Sequence, residues 1–161
     1  MEIVKEDFRL GTLDDELRVD ELCSQLLREF HEDLLQQGVT PLEAGQMAHG
    51  ADYFIRDFVV AVKQRNIFEE ISGMVRQFAG NWYIVSTLDP DLQVLTGYLK
   101  GIRAFYQYLA KCSLISDTFL RAVEKECDDI TYYGERITSF WDIKGDGYFA
   151  WERECSLKER G

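Results

Sequence analysis

TPLEAGQMAHGADYFIRDFVVAV, residues 40–62, opens with Thr40 as an N-cap, Pro41 at the first helical position, and Glu43 placed to reciprocate the cap. Behind that start, Ala44, Ala48, Ala51, Ile55, Phe58 and Val62 recur at spacings of three and four. The period is helical, so one long helix is expected to run to about Arg65. Its first half is lined with small residues, Gly45 and Gly50 among them, which let a second helix approach closely at some cost in propensity.

The same period continues on both sides. Thr12 and Asp15 can cap a preceding helix that presents Leu22, Leu26, Phe30 and Leu34 and ends at Gly38. After the long helix, Ile67, Ile71, Met74 or Val75, Phe78 and Trp82 predict a further helix, although Gly73, Gly80 and the β-branched Ile84-Val85 interrupt it. Asp89-Pro90 restarts a clean pattern with Leu92, Leu95, Leu99, Ile102, Tyr106 and Leu109 on one face. Ser116-Asp117 opens another helix with Leu120, Val123, Cys127 and Ile130 inside, ending near Gly134 or a turn beyond. From Ser139 to Arg153, Phe140, Trp141, Tyr148, Phe149 and Trp151 flank Lys144-Gly145-Asp146-Gly147 in rough alternation, which predicts a small β-hairpin lying on the helices. The expected fold class is all-α with a short aromatic hairpin-like tail.

At 161 residues, 46% of them hydrophobic, the chain fits one domain with a continuous core. The formal charge of −11 opposes non-specific attraction to phosphate backbones and anionic membranes. Its distribution is uneven: residues 1–29 carry 4 basic and 9 acidic groups, residues 30–125 carry 9 and 11, and residues 126–161 carry 5 and 9. The middle is therefore nearly neutral. The N-terminus MEIVKEDFRL lacks signal-peptide order and Phe58–Val62 is too short to span a bilayer, so a cytoplasmic protein with no membrane role is expected. Cys23, Cys112, Cys127 and Cys155 are widely spaced without a Cys-x-x-Cys pair, the pattern of reduced thiols rather than a metal site.

Catalytic signatures are missing. His31 and His49 have no second histidine at i+4, and there is no nucleophile elbow, phosphate-binding glycine loop or dinucleotide fingerprint. The segment from Asp142 to Arg153 resembles a calcium loop, with Asp142 and Asp146 at its first and fifth positions and Gly147 at its sixth. Lys144 and Arg153, however, put cations where the third and twelfth ligands belong, so only a structural turn is expected. No cofactor, no metal and no enzymatic activity are expected.

From Leu26 to Val123 the chain also follows a family order. Leu27-Arg28-Glu29-Phe30 with Leu34-Leu35 leads to Gly38-Val39-Thr40-Pro41 and the long helix, and Leu99-Lys100-Gly101-Ile102-Arg103-Ala104-Phe105-Tyr106-Gln107-Tyr108-Leu109 is followed by Leu114-Ile115-Ser116. This resembles the N-terminal core-binding, SAM-like domain of tyrosine recombinases and phage integrases. The resemblance implies an orthogonal four-helix bundle over residues 26–123, with an acidic extension at 1–25 and a helix and aromatic tail at 124–161. In that family the bundle clamps duplex DNA, and the catalytic half is absent from this sequence, so recombination by this chain alone is not expected.

Two readings of function follow. In the first, a stand-alone core-binding-like module contacts duplex DNA through Lys100, Arg103, Gln107 and Lys111, which fall at spacings of three and four, together with Arg76. The bland counterpart is an ordinary solvated face. In the second, the module binds a partner protein or a second copy, with Trp141, Tyr148 and Trp151 packing on the bundle or forming the interface.

Overall fold

The structure, a computed structural model, describes residues 2–158. A short 3₁₀ turn (Lys5–Phe8) precedes α1 (Leu13–Gln36) and α2 (Pro41–Asp52), which runs on without a break as a π-helical segment (Tyr53–Val60). Next come α3 (Met74–Gln77), a π-helical segment (Phe78–Trp82) and α4 (Tyr83–Ser86), three parts of one continuous helix. The chain continues with α5 (Leu92–Lys111), α6 (Asp117–Cys127), α7 (Ile130–Trp141) and α8 (Tyr148–Glu154). Among the described residues there is no strand; the protein is an all-α bundle.

The caps explain where the first helices start. Thr12 Oγ1 accepts the Asp15 N–H at 3.1 Å while the Asp15 carboxylate accepts the Thr12 N–H at 3.1 Å, so two orphan donors of α1 are satisfied together. Thr40 Oγ1 accepts the Glu43 N–H at 3.3 Å at the head of α2, but the Glu43 carboxylate turns outward to Lys100 instead of closing the box. At α5 the capping side chain is Asp91, which accepts the Val94 N–H at 3.0 Å, so the helix begins just beyond Asp89-Pro90.

α2 and α5 form the closest crossing. A Cβ on Gly50 would lie 2.8 Å from the Tyr98 Cα, and one on Gly101 would lie 3.0 Å from the Met47 Cα and closer still to its carbonyl oxygen. Only residues without a side chain let the two backbones touch. Around this contact, Leu95, Leu99, Ile102, Tyr106 and Leu109 of α5 are buried, as their spacing predicts.

Both π-helical segments belong to one aromatic core. Phe54 and Phe58 meet Phe78 with centroids at 5.3 and 5.8 Å, and Phe58 and Tyr53 meet Trp82 at 5.4 and 5.3 Å. The widened turn, visible in the 3.1 Å bond from the Ala61 N–H to the Arg56 carbonyl, rotates the buried face to Phe54, Ile55, Phe58 and Val59. Val62, expected inside, is consequently 42% exposed.

Three expectations are corrected. Ile67 and Ile71 lie in turns before α3, because Gly73 adopts a left-handed φ of 93° and the helix starts only after it; Ile67 is nonetheless buried. The helix from Ser116 ends at Cys127, and Asp128-Asp129 turn the chain into a separate α7 that carries on to Trp141. The aromatic tail is not a hairpin: after the turn at Gly145, Tyr148 to Glu154 is helical, with Trp151 and Cys155, one turn apart, on its buried side.

Candidate functional site

The α5 ridge of Lys100, Arg103, Gln107 and Lys111 forms as predicted, but each polar head meets an acidic side chain of a neighbouring helix. Lys100 pairs with Glu43 of α2, and Lys111 Nζ donates to Asp33 of α1 at 2.7 Å. Arg103 reaches Glu124 of α6 at 3.4 Å and also Asp128, and Gln107 donates to Glu124 at 2.9 Å. Exposed pairs of this kind add little stability, about 0–1 kcal/mol each. Their main effect is on charge: the ridge is matched by carboxylates, and it ties α5 to three other helices.

The aromatic tail divides. Trp151 is 5% exposed, and its indole N–H donates to the Arg136 carbonyl at 3.2 Å and Ser139 Oγ at 3.0 Å, so it anchors α8 to the bundle and cannot form an outer interface. Tyr148 is half-buried, while Trp141 is 57% exposed. Asp142 and Asp146 lie at the C-cap of α7 and in the turn before α8, and among the described residues no group of three or more His, Cys, Asp or Glu could hold a metal ion. All four cysteines are unpaired; burial pushes the Cys23 and Cys127 thiols up to about 12, which keeps them protonated and unreactive at neutral pH.

Arg76 stands elsewhere, and it leads to a different site. Its guanidinium lies 4.8 Å over the Tyr132 ring and donates to the Tyr132 hydroxyl at 3.0 Å. It lines a cavity of about 620 Å³ walled by Ser72, Gly73, Arg76 and Gln77 on the α3 side, Lys125 and Glu126 on α6, and Arg153, Cys155, Ser156 and Lys158 on the tail. Of the cationic side chains among the described residues, Lys125, Lys144, Arg153 and Lys158 alone have heads with neither a hydrogen bond nor an ion pair. Three of those four line this one cavity.

One carboxylate, Glu126, shares the wall. Its two oxygens accept the Gly73 N–H at 3.2 Å and the Arg76 N–H at 2.9 Å, so it caps the start of α3 from another helix. Burial pushes its pKa up, against the lowering effect of those two N–H bonds and of Arg76. Four cations therefore face one inward-turned carboxylate. In a protein of −11 that is a local reversal of sign, and a concave site focuses it.

The tail wall is held in place by named bonds. Asn81 Nδ2 donates to the Cys155 carbonyl at 2.7 Å, and Arg136 donates to the Trp151 carbonyl at 2.7 Å and the Gly80 carbonyl at 2.8 Å. The chain matches no family model, no curated protein and no solved structure. The chemistry of the site therefore rests on the residues themselves.

A second cavity, about 530 Å³ between α2 and α5, is mixed in character and crossed by the Lys100–Glu43 pair, which leaves it no unpaired cation. The first cavity was foreshadowed in the sequence only by Arg76. Gln77, Lys125, Arg153 and Lys158 come together from three separate segments, and no local pattern announces them.

Proposed function

We propose that this protein is a non-catalytic binding module that takes up a phosphate-bearing anion in the cavity between α3, α6 and the tail. The observation that carries the reading is the convergence of Lys125, Arg153 and Lys158, unpaired, around one concave site that Arg76 also lines. Cations of this density lower the free energy of a dianion through charge-assisted bonds. The likeness of residues 26–123 to recombinase core-binding domains supports a binding role over a catalytic one.

The test is a titration with inorganic phosphate followed by ³¹P NMR and thermal denaturation. Saturable binding is expected, weakened about tenfold or more in Lys125→Gln/Arg153→Gln, as the loss of roughly 1.4 kcal/mol of charge-assisted bonding would give. Lys144→Gln, which removes the unpaired cation outside the cavity, is expected to bind as the unaltered protein does. Equal binding by the double variant would sink the reading. Duplex DNA is the replacement outcome: a random-sequence duplex bound at low salt, and released by Lys100→Gln/Arg103→Gln, would return the function to the α5 ridge.

The exposure of Trp141 (57%) and Phe149 (71%) favours a second reading, contact between two copies at the tail end. Light scattering decides it. A dimer converted to monomer by Trp141→Ser/Phe149→Ser supports it, and a monomeric unaltered protein removes it.

A further inference from the structure

Resting on the reading of the cavity as an anion site, we infer that the cavity takes up its anion together with a proton from solvent, which Glu126 receives, so that anion binding tightens as the pH falls. Among the described residues that line the cavity, Glu126 is the one carboxylate. Its oxygens are fixed at the α3 wall by the N–H groups of Gly73 and Arg76, at 3.2 and 2.9 Å, and both of those residues line the cavity too. Swinging out to solvent would cost the carboxylate both bonds. It stays beside the cations instead, and an arriving anion meets a like charge already in place.

The groups around Glu126 decide how it answers that charge. Arg76 faces it from α3, and Arg153, Lys158 and the Cys155 thiol stand on the tail wall. Lys125 precedes it and Cys127 follows it on α6, while Tyr106 of α5 and Tyr133 of α7 adjoin it, the Tyr133 hydroxyl donating to its backbone carbonyl. Burial pushes both phenols and both thiols up, so all four are neutral near pH 7. Glu126 is left as the acid that an anion can perturb. Burial already raises it above the ordinary 4.5 of a glutamate, against the two N–H bonds and Arg76, which lower it. A dianion in the cavity adds a like charge and occupies the cations that favour the carboxylate, and both effects raise it further. By linkage, the proton so drawn in tightens the anion to the same degree. Above the pKa of the anion-bound site, Glu126 is charged with or without the anion and affinity is at its floor. As the pH falls toward the lower pKa of the empty site, each anion bound brings a growing fraction of a proton, and affinity climbs. Below that second value the carboxyl is neutral throughout and affinity levels off.

The probe is inorganic sulfate, which stays a dianion between about pH 5 and pH 8 and so adds no titration of its own to the linkage. Calorimetric titration of the full chain is expected to give binding about tenfold tighter at about pH 5 than at about pH 8, the change that an upward shift of about one pK unit produces. Within the rise, the binding heat is expected to depend on the ionisation enthalpy of the buffer, the sign of proton uptake. Glu126→Gln, neutral at every pH, is expected to hold sulfate at about pH 8 within about twofold of the unaltered protein at about pH 5, with no rise between. His31 and His49 line a different cavity and are kept in the variant, so any rise from their charge appears in both proteins. A rise that survives in Glu126→Gln overturns the inference. So does sulfate binding to the unaltered protein without proton uptake, whether or not the variant folds. Phosphate bound and sulfate refused at every pH would put the proton on the ligand rather than on Glu126, and overturns it as well. If neither anion binds at any pH, the anion site itself is lost, an outcome distinct from binding that ignores pH.

Discussion

Gly101→Ala is expected to cost the fold about 2–4 kcal/mol, while Gly97→Ala, four residues earlier on the same helix, is expected to gain up to about 1 kcal/mol. The two substitutions share a helix, a chemistry and a propensity gain of about 1 kcal/mol. They differ in what the new methyl meets. At Gly97 nothing lies within 4 Å, so reduced backbone freedom in the unfolded chain is the whole effect. At Gly101 the methyl would sit 3.0 Å from the Met47 Cα and deeper still into the carbonyl oxygen of that residue, which is helix backbone and has no rotamer to change. α2 and α5 must then move apart along the crossing that also contains Gly50, and Leu99 and Ile102 lose contact with their neighbours. Urea denaturation of the two variants checks both signs. Equal destabilisation of the two would mean that propensity, not the close crossing, governs this helix.

That crossing shows what could be read ahead of the structure and what could not. Of the two glycines that flagged a close approach on α2, Gly50 lies at the crossing while a Cβ on Gly45 would meet nothing within 4 Å; the apolar face of α5 was complete in its spacing, because caps and periodicity are local properties. The π-helical turns were not legible. They are set by how Phe54, Phe58, Phe78 and Trp82 fit one another across two helices, and a single helix period carries no record of that. The tail failed for a related reason. Tyr148, Phe149 and Trp151 alternate loosely enough for a strand, but Trp151 and Cys155 also stand one helical turn apart, and burial of those two against the bundle decides for the helix. At the site, Lys100, Arg103, Gln107 and Lys111 were placed correctly on one ridge, while their carboxylate partners on α1, α2 and α6 were invisible. Charge state at a surface depends on neighbours far away in the chain. Lys125 and Arg153, which no periodicity singles out, remain unpaired for the same reason.

The tail is also where the second large effect is expected: Arg136→Ala should cost about 3–5 kcal/mol, and Glu154→Gln almost nothing. Arg136 is 3% exposed, and three kinds of contact surround it. Its ion pair with Glu154 at 3.7 Å ends on a carboxylate that is 74% exposed, where solvent leaves it about 0–1 kcal/mol. Its hydrogen bonds to the Gly80 and Trp151 carbonyls, at 2.8 and 2.7 Å, come from a charged donor, at about 1.5–3 kcal/mol each. Its guanidinium carbon lies 3.8 Å from the centre of the Trp151 ring, which adds about 2 kcal/mol when desolvated. The hydrogen bonds and the stacked ring outweigh the salt bridge, so removing Arg136 matters and neutralising Glu154 does not. Arg136→Lys falls between, since an ammonium keeps the charge but cannot reach both carbonyls from one planar fork. Tryptophan fluorescence reports the loss as a red shift when Trp151 meets water. Glu154→Gln costing as much as Arg136→Ala would make the salt bridge the anchor instead. The anchor bears on binding as well: Arg136 holds α8, and α8 and the residues after it hold Arg153 and Lys158 at the cavity mouth. Where the rest of the bundle is still folded, Arg136→Ala should therefore weaken phosphate binding as much as Lys125→Gln/Arg153→Gln does, without removing a single cation from the cavity wall.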